Sequence, residues 1–297
     1  MNLGSSLWHP LAQQISQQTQ APFRITSHTP MGGGCINAAY RISDEHRQTH
    51  YFVKLNDSKH GDMFETEALS LQALFEQGAV RVPQPVCFGQ LQNQTYLVLE
   101  YLTLSGRADF SALGQQLANL HRATAEQFGW HRNNTIGTTP QQNQLCDNWV
   151  DFWREQRLQP QITLAEKNGY GAQLAPLTDK LLADFACLFT NYTPRPSMLH
   201  GDLWAGNAAA LADGTPVIFD PAFYFGDRET DIAMTHLFGG FNQNFYAAYH
   251  AAWPLDSGFA VRKTLYNLYH ILNHLNLFGA GYLGQAVSMS EKLLAEF

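Results

Sequence analysis

The spacing of apolar residues changes once along the 297-residue chain, and that change constrains the fold more than any single motif does. The first hundred residues read mainly as strands. "FRITSHTP" alternates, "INAAYRI" puts Ile36, Ala38, Tyr40 and Ile42 on one face, and "YFVKL" is a short run of aromatic and β-branched residues. One helix follows from about Asp62 to Gln77, and Pro83 and Pro85 then open a loop into the apolar strand "TYLVLEYL". From Ser105 onward the period is helical, as in "LGQQLANLH", where Leu113, Leu117 and Leu120 share a face. Strands followed by helices predict an α+β chain with a small N-lobe over residues 1–102 and a larger helical C-lobe over 103–297. The chain is long enough to bury a core in each lobe and leave a cleft.

Charge and composition remove several function classes. The formal net charge is −7 and the Lys and Arg residues are scattered, so no basic footprint for nucleic acid exists. No stretch approaches the roughly 18 uninterrupted apolar residues of a membrane span. The opening "MNLGSSLWHPLAQQISQQ" lacks the basic and apolar regions of a secretory signal, and a cytoplasmic location is expected. The four cysteines, Cys35, Cys87, Cys146 and Cys187, form no C-x-x-C pair, which argues against a zinc ribbon or a disulfide-stapled fold.

Three groups of residues carry chemistry. In "PMGGGCINAAY", Gly32, Gly33 and Gly34 let the backbone turn tightly, with N–H groups free to face phosphate oxygens. No Gly-Lys-Ser/Thr follows, and Asn37 stands where a dinucleotide fingerprint needs its third glycine, so a hairpin lid over a nucleotide fits better. A plain glycine-rich hairpin fits the same letters. Lys54 lies in a strand whose neighbours Val53 and Leu55 point to the opposite face, and a buried Lys needs an anionic partner. Glu67 shares a helical face with Phe64, Leu71 and Leu74 and is therefore directed inward, unlike Glu65.

The third group lies in "SMLHGDLWAGNAAALADGTPVIFDPAFYFGDRETDIAM". Asp202 is followed five residues later by Asn207 and thirteen residues after that by Asp220, at the end of an apolar run. The first interval equals that of the protein-kinase catalytic loop H-R-D-x-x-x-x-N, with Gly201 in place of the Arg. Phosphoryl transfer needs an orienting base and hard oxygen ligands for Mg²⁺. Asp202 suits the base, and Asn207 and Asp220 suit the metal.

"HGD", followed by Asn and then by Asp-Pro in place of Asp-Phe-Gly, resembles the aminoglycoside phosphotransferase and choline kinase branch of the kinase-like fold. Together with "GGGCIN", "VKLN", "FETEAL", "LVLEYL", "FGWHRNNTIGTTPQ" and "LYHILNHLNLFGAGY", it is similar to the fructosamine kinase (ketosamine 3-kinase) family nearly end to end. The resemblance implies a bilobal protein-kinase-like fold: a small antiparallel-sheet N-lobe, a larger helical C-lobe and the active site between them. It implies ATP as co-substrate and Mg²⁺ as metal. Gly32, Gly33 and Gly34 would cover the phosphates, Lys54 would contact the α- and β-phosphates, Glu67 would hold Lys54, and backbone groups from Glu100 to Leu102 would meet adenine. Asp231 matches an acidic residue that steadies the catalytic loop from behind; an ordinary helix N-terminal carboxylate fits as well.

The implied reaction phosphorylates the 3-hydroxyl of ketosamines, either small molecules or glycated lysine side chains, and serves protein deglycation. Trp204 would stack on the carbon face of the sugar, with core packing under the loop as the alternative. Asn267, His270 and His274 share a face of "VRKTLYNLYHILNHLNLFGAGY", without the Glu of a zinc-binding H-E-x-x-H. The resemblance puts this helix beside the sugar pocket, with His274 favoured over His270. Cys35, directly after the glycines, is a candidate redox switch whose oxidation to an intermolecular disulfide would link a dimer and deform the loop. Pro221 replaces the Phe of Asp-Phe-Gly, so the inactive flip of that segment is not expected. Alternatives are a kinase of another small alcohol or amino-sugar, and a catalytically silent nucleotide-binding regulator.

Overall fold

β1 (Ser27–Met31), β2 (Ala38–Asp44), β3 (Thr49–Asp57), β4 (Pro85–Leu91) and β5 (Gln94–Glu100) make one antiparallel sheet in the order β1-β2-β3-β5-β4. It belongs to a computed structural model that describes residues 7–32, 37–106 and 108–297. The sheet is covered on both faces, which the alternation of its strands explains. Ile42, Val53, Leu55, Tyr96 and Val98 face one side and pack on the helix α1 (Trp8–Thr19) through Trp8, Leu11, Ala12 and Ile15. The other side carries the helix α2 (Gly61–Gln77), with Phe64, Leu71 and Leu74 buried as its stripe predicts.

The helix α1 departs from the strand-rich reading of the first hundred residues. Its apolar residues recur at helical spacing, but six Gln, Ser and Thr positions dilute the pattern, and burial on the sheet is what secures it.

The second unit, Asp109–Ala208 with Asp220–Phe297, is mainly helical. It runs through α3 (Phe110–His121), the hairpin β6 (Asn134–Ile136) and β7 (Thr139–Gln141), then α4 (Trp149–Trp153), α5 (Gln159–Ala165) and α6 (Gly171–Asp184). After these come β8 (Ser197–Leu199), the hairpin β9 (Ala208–Ala210) and β10 (Pro216–Ile218), β11 (Tyr224–Gly226), α7 (Glu229–Leu237), α8 (Gln243–Ala252), α9 (Phe259–Phe278) and α10 (Leu283–Leu294). The Asp109 carboxylate caps α3 by accepting the Ser111 and Ala112 N–H groups. α3 lies against α8 at Gly114, where a Cβ would come within 2.3 Å of the Phe245 carbonyl. α7 and α10 pack on α9.

The compact units divide the chain less simply than a cut after residue 102. The first runs on through Ala108 and takes in Ala209–Phe219. The Ile218 N–H donates to the Arg81 carbonyl at 3.0 Å and the Gly106 N–H to Ala210 at 3.2 Å, so backbone bonds tie the returning segment to this unit.

Candidate active site

β8 pairs antiparallel with β11, Leu199 opposite Tyr224, and the Ala222 N–H donates to the His200 carbonyl at 2.9 Å. This pairing holds the loop from His200 to Asn207 beside the segment that starts at Asp220. Gly201 has φ +84°, and a Cβ there would sit 2.0 Å from the Ala222 carbonyl oxygen. Both the left-handed backbone and the close approach require glycine, which is why no Arg stands at this place in the H-x-D sequence.

Asp231, at the start of α7, supports the loop from within the core. Its Oδ2 accepts the His200 N–H and its Oδ1 the Gly201 N–H, both at 2.8 Å. Burial by itself would raise its pKa, but the hydrogen bond and charge of His121, the charge of His200 and the Gly201 amide bring it below the usual carboxylate value. His121 Nε2 lies 3.1 Å from Asp231 Oδ2, and Nδ1 lies 2.7 Å from the Tyr249 hydroxyl. Burial holds His121 below its ordinary pKa. The ring is therefore a neutral imidazole that donates from Nε2 to an ionised carboxylate and accepts at Nδ1 from Tyr249, which in turn accepts from Arg228 at 2.9 Å. Sequence reasoning singled out Asp231 and missed His121, although His121 closes the "LGQQLANLH" stripe four residues after Leu117.

Asp202 keeps about a fifth of its side chain open, with a relative exposure of 21%. Its pKa is pushed up to about 7 by burial and by the charges of Asp220 and Asp231, against the opposing hydrogen bond from Asn207. Asn207 sits in a tight 3₁₀ turn, and its Nδ2 donates to the Asp202 carbonyl at 2.9 Å and reaches toward Asp202 Oδ2 at 3.4 Å and the Asp220 carbonyl at 3.5 Å. With the amide protons turned into the loop, the carbonyl oxygen is the group Asn207 can offer a cation. Asp220 holds a left-handed backbone, φ 56°, a conformation uncommon for a residue with a side chain. One amide oxygen and one carboxylate are hard donors of the type Mg²⁺ takes when phosphates and water complete its shell. No group of three or more His, Cys, Asp or Glu suited to hold a metal is present among the described residues.

Trp204 follows Asp202 by two positions and is 38% exposed, so it is not core packing beneath the loop. Its ring lies over Gly206, where a Cβ would come within 2.2 Å of it. Phe238 stands 6.1 Å from Trp204 between ring centroids, and His274 4.9 Å from Phe238. His274 donates from Nδ1 to the His270 carbonyl of its own helix at 2.8 Å and also faces the rings of Phe278 and Tyr282. His270, one turn earlier on α9, is the histidine beside the base: its Nδ1 is 3.9 Å from Asp202 Oδ1. Burial, then the charge of His274, lowers its pKa to about 3, so the ring is neutral.

In the first unit, Lys54 Nζ lies 2.7 Å from Glu67 Oε1, both side chains nearly buried, as the helical face of Glu67 predicts. The Glu100 carboxylate pairs with Arg81 at 2.5 Å and accepts the Gln84 N–H, while the Glu100 N–H donates to the Gln84 carbonyl. Leu102, just past β5, is half-buried. A Cβ on Gly32 would meet nothing within 4 Å. Gly33, Gly34 and Cys35 lie outside the described residues. Of the other cysteines, Cys87 is pushed up to about 12 by burial, and no helix among the described residues is long and apolar enough to cross a membrane.

An antiparallel sheet with a buried Lys–Glu pair, followed by a helical unit that presents Asp202, Asn207 and Asp220 from one braced loop system, defines a kinase of the protein-kinase-like fold. A Haemophilus somnus chain assigned as a fructosamine-3-kinase shares this architecture with a TM-score of 0.88 and 29% identity over 96% of each chain. The chain belongs to the fructosamine kinase family, whose model matches residues 7–296. A Synechocystis protein named as a ketoamine kinase is 47% identical over 97% of both chains. The chloroplastic protein-ribulosamine 3-kinase of Arabidopsis thaliana is 40% identical over 96% of this chain and 87% of its own. The chain is thus an enzyme, an ATP-dependent phosphotransferase whose acceptor is an alcohol group.

Proposed function

We propose that this enzyme transfers the γ-phosphoryl group of ATP to the 3-hydroxyl of ketosamines, the ribulosamine and fructosamine adducts of lysine or free amines. The observation that carries the reading is the Asp202–Asn207–Asp220 loop system beside an outward-facing Trp204, in a chain so similar to ketoamine and ribulosamine kinases. Asp202, raised toward neutrality, accepts the proton of the attacking hydroxyl and aims its oxygen at phosphorus. Asn207 and Asp220 would hold Mg²⁺ through oxygen, which would supply charge neutralisation at the phosphates. In the first unit, Lys54, oriented by Glu67, contacts the α- and β-phosphates, Gly32, Gly33 and Gly34 cover them, and the backbone at Glu100 to Leu102 meets adenine. Trp204 stacks on the sugar's carbon face, and His274 completes that aromatic wall.

The product explains the use. With phosphate on C3, removal of a proton on enolisation lets the C3–O bond break and expels inorganic phosphate, and hydrolysis of the resulting imine frees the amine. Lysine would thereby be deglycated. The test is ADP release from Mg²⁺–ATP with ribulose-lysine and fructose-lysine, with Asp202→Asn as control. Turnover lost in the mutant supports the assignment; ATP binding without turnover on either adduct overturns it in favour of another amino-sugar or small alcohol.

A further inference from the structure

His270 is a buried histidine that no hydrogen bond explains. Only 3% of the residue is exposed, and its Nδ1 has no accessible surface and no hydrogen-bond partner among the described residues. Asn267, one turn earlier on α9, also buries an Oδ1 without a partner among the described residues, whereas Tyr269, Asn273 and His274 are committed elsewhere. The Tyr269 hydroxyl donates to Gln141 at 2.7 Å, the His274 ring donates back to the helix, and Asn273 accepts from Gln161 at 3.1 Å. Such a nitrogen is costly to bury unless it is kept for a partner that engages it in another state.

Asp202 is a charged group beside it. At 3.9 Å from Oδ1 the nitrogen is beyond a hydrogen bond, yet a turn of the carboxylate by about 1 Å would bring it into range, and catalytic hydrogen bonds are commonly long before substrate binds. A neutral imidazole carries one N–H and one lone pair, and a lone pair turned toward a carboxylate oxygen would be repelled. With Asp202 in the ionised form that acts as base, the proton therefore belongs on Nδ1. Among the described residues the other oxygen of Asp202 has only a long contact with Asn207, 3.4 Å, so the loop alone does not settle the carboxylate's rotation.

We propose that His270 is a positioning residue for Asp202: its Nδ1–H donates to Asp202 Oδ1 and holds the carboxylate in the orientation that meets the acceptor hydroxyl. His270 itself touches neither phosphate nor sugar in this scheme. It acts from behind the base, as Asp231 does for the loop backbone. Its part in turnover rests on the function proposed above; the contact itself does not.

Two measurements test this separately. Imidazole ¹⁵N and ¹H NMR of the whole protein should show His270 as the Nδ1–H tautomer, with a slowly exchanging proton that moves upfield in Asp202→Asn. An Nε2–H tautomer, or a proton indifferent to Asp202→Asn, overturns the proposal whether or not any ketosamine is turned over. In kinetics, His270→Leu should lower kcat roughly tenfold with the KM for ATP unchanged. His270→Asn, whose Nδ2 takes the place of Nδ1, should restore most of the rate, and His270→Gln, whose amide takes the place of Nε2, should not. Equal losses in the Asn and Leu variants, or an unchanged kcat in His270→Leu, would mark a packing residue. Absence of turnover in the wild type strikes the proposed function and leaves the NMR result to decide on His270.

Discussion

Asp231 and His121, 110 positions apart in the chain, meet at 3.1 Å in the core of the helical unit, and the same carboxylate holds the backbone of His200 and Gly201. A buried anion that accepts three hydrogen bonds is hard to replace. Asp231→Asn puts an N–H where a backbone N–H must donate, and it should lower stability by about 3 kcal/mol and abolish most activity. Tyr249→Phe, which only removes the hydroxyl from His121 and Arg228, should cost about 1 kcal/mol. Urea midpoints at constant m-value, read beside kcat, check both.

The two aspartates give opposite dependences of stability on pH. Asp202 ionises near 4 in the unfolded chain and at about 7 in the fold, so wild type loses stability as pH rises through that window and is level above it. Asp202→Asn has no such loss. The mutant should match wild type at pH 4 and exceed it by about 4 kcal/mol at pH 8 without Mg²⁺, while being inactive. Equal stabilities at pH 8 would refute the raised pKa. Asp231 is held below the usual carboxylate value, so its contribution is present above about pH 4 and lost as pH falls further.

Lys54 and Glu67 should separate binding from folding. Glu67→Gln leaves the ammonium buried without that carboxylate and is expected to cost about 3 kcal/mol. Lys54→Met removes the charge instead, should cost less, and should erase much of the thermal stabilisation that Mg²⁺–ATP gives wild type. An unchanged nucleotide shift in Lys54→Met would remove Lys54 from the phosphate site.

Gly201→Ala forces a side chain into a left-handed position 2.0 Å from the Ala222 carbonyl, so the β8–β11 pairing must give way. A loss of about 3 kcal/mol is expected, with kcat falling as Asp202 is displaced. Thermal unfolding of the purified variant beside its kinetics tests this.

Trp204→Ala should do the reverse. The ring is partly exposed, so stability should change by less than about 1 kcal/mol, whereas the KM for a ketosamine should rise roughly tenfold. A KM within twofold of wild type would place the sugar elsewhere.

Local signals are what the chain carries openly. The two-residue period of β2, β3 and β5, the helical stripe that turned Glu67 inward toward Lys54, and the short interval from Asp202 to Asn207 each depend on neighbours a few residues away, so they are legible before folding. The sequence by itself thus determined the order of sheet and helices and the residue types of the phosphoryl-transfer loop. Other features arise from contacts between distant segments, which no local period encodes. Tertiary packing made α1 a helix on the sheet, returned residues 209–219 to the first unit, and required glycine at 201 because Ala222 lies across from it. It also joined His121 to Asp231 and set His270, rather than His274, beside Asp202. A histidine on a helix face reads the same in sequence whether it looks at solvent or at a catalytic base; only the packing of α9 within the loop's own unit distinguishes the two, by removing water from one ring nitrogen and setting a carboxylate beside it.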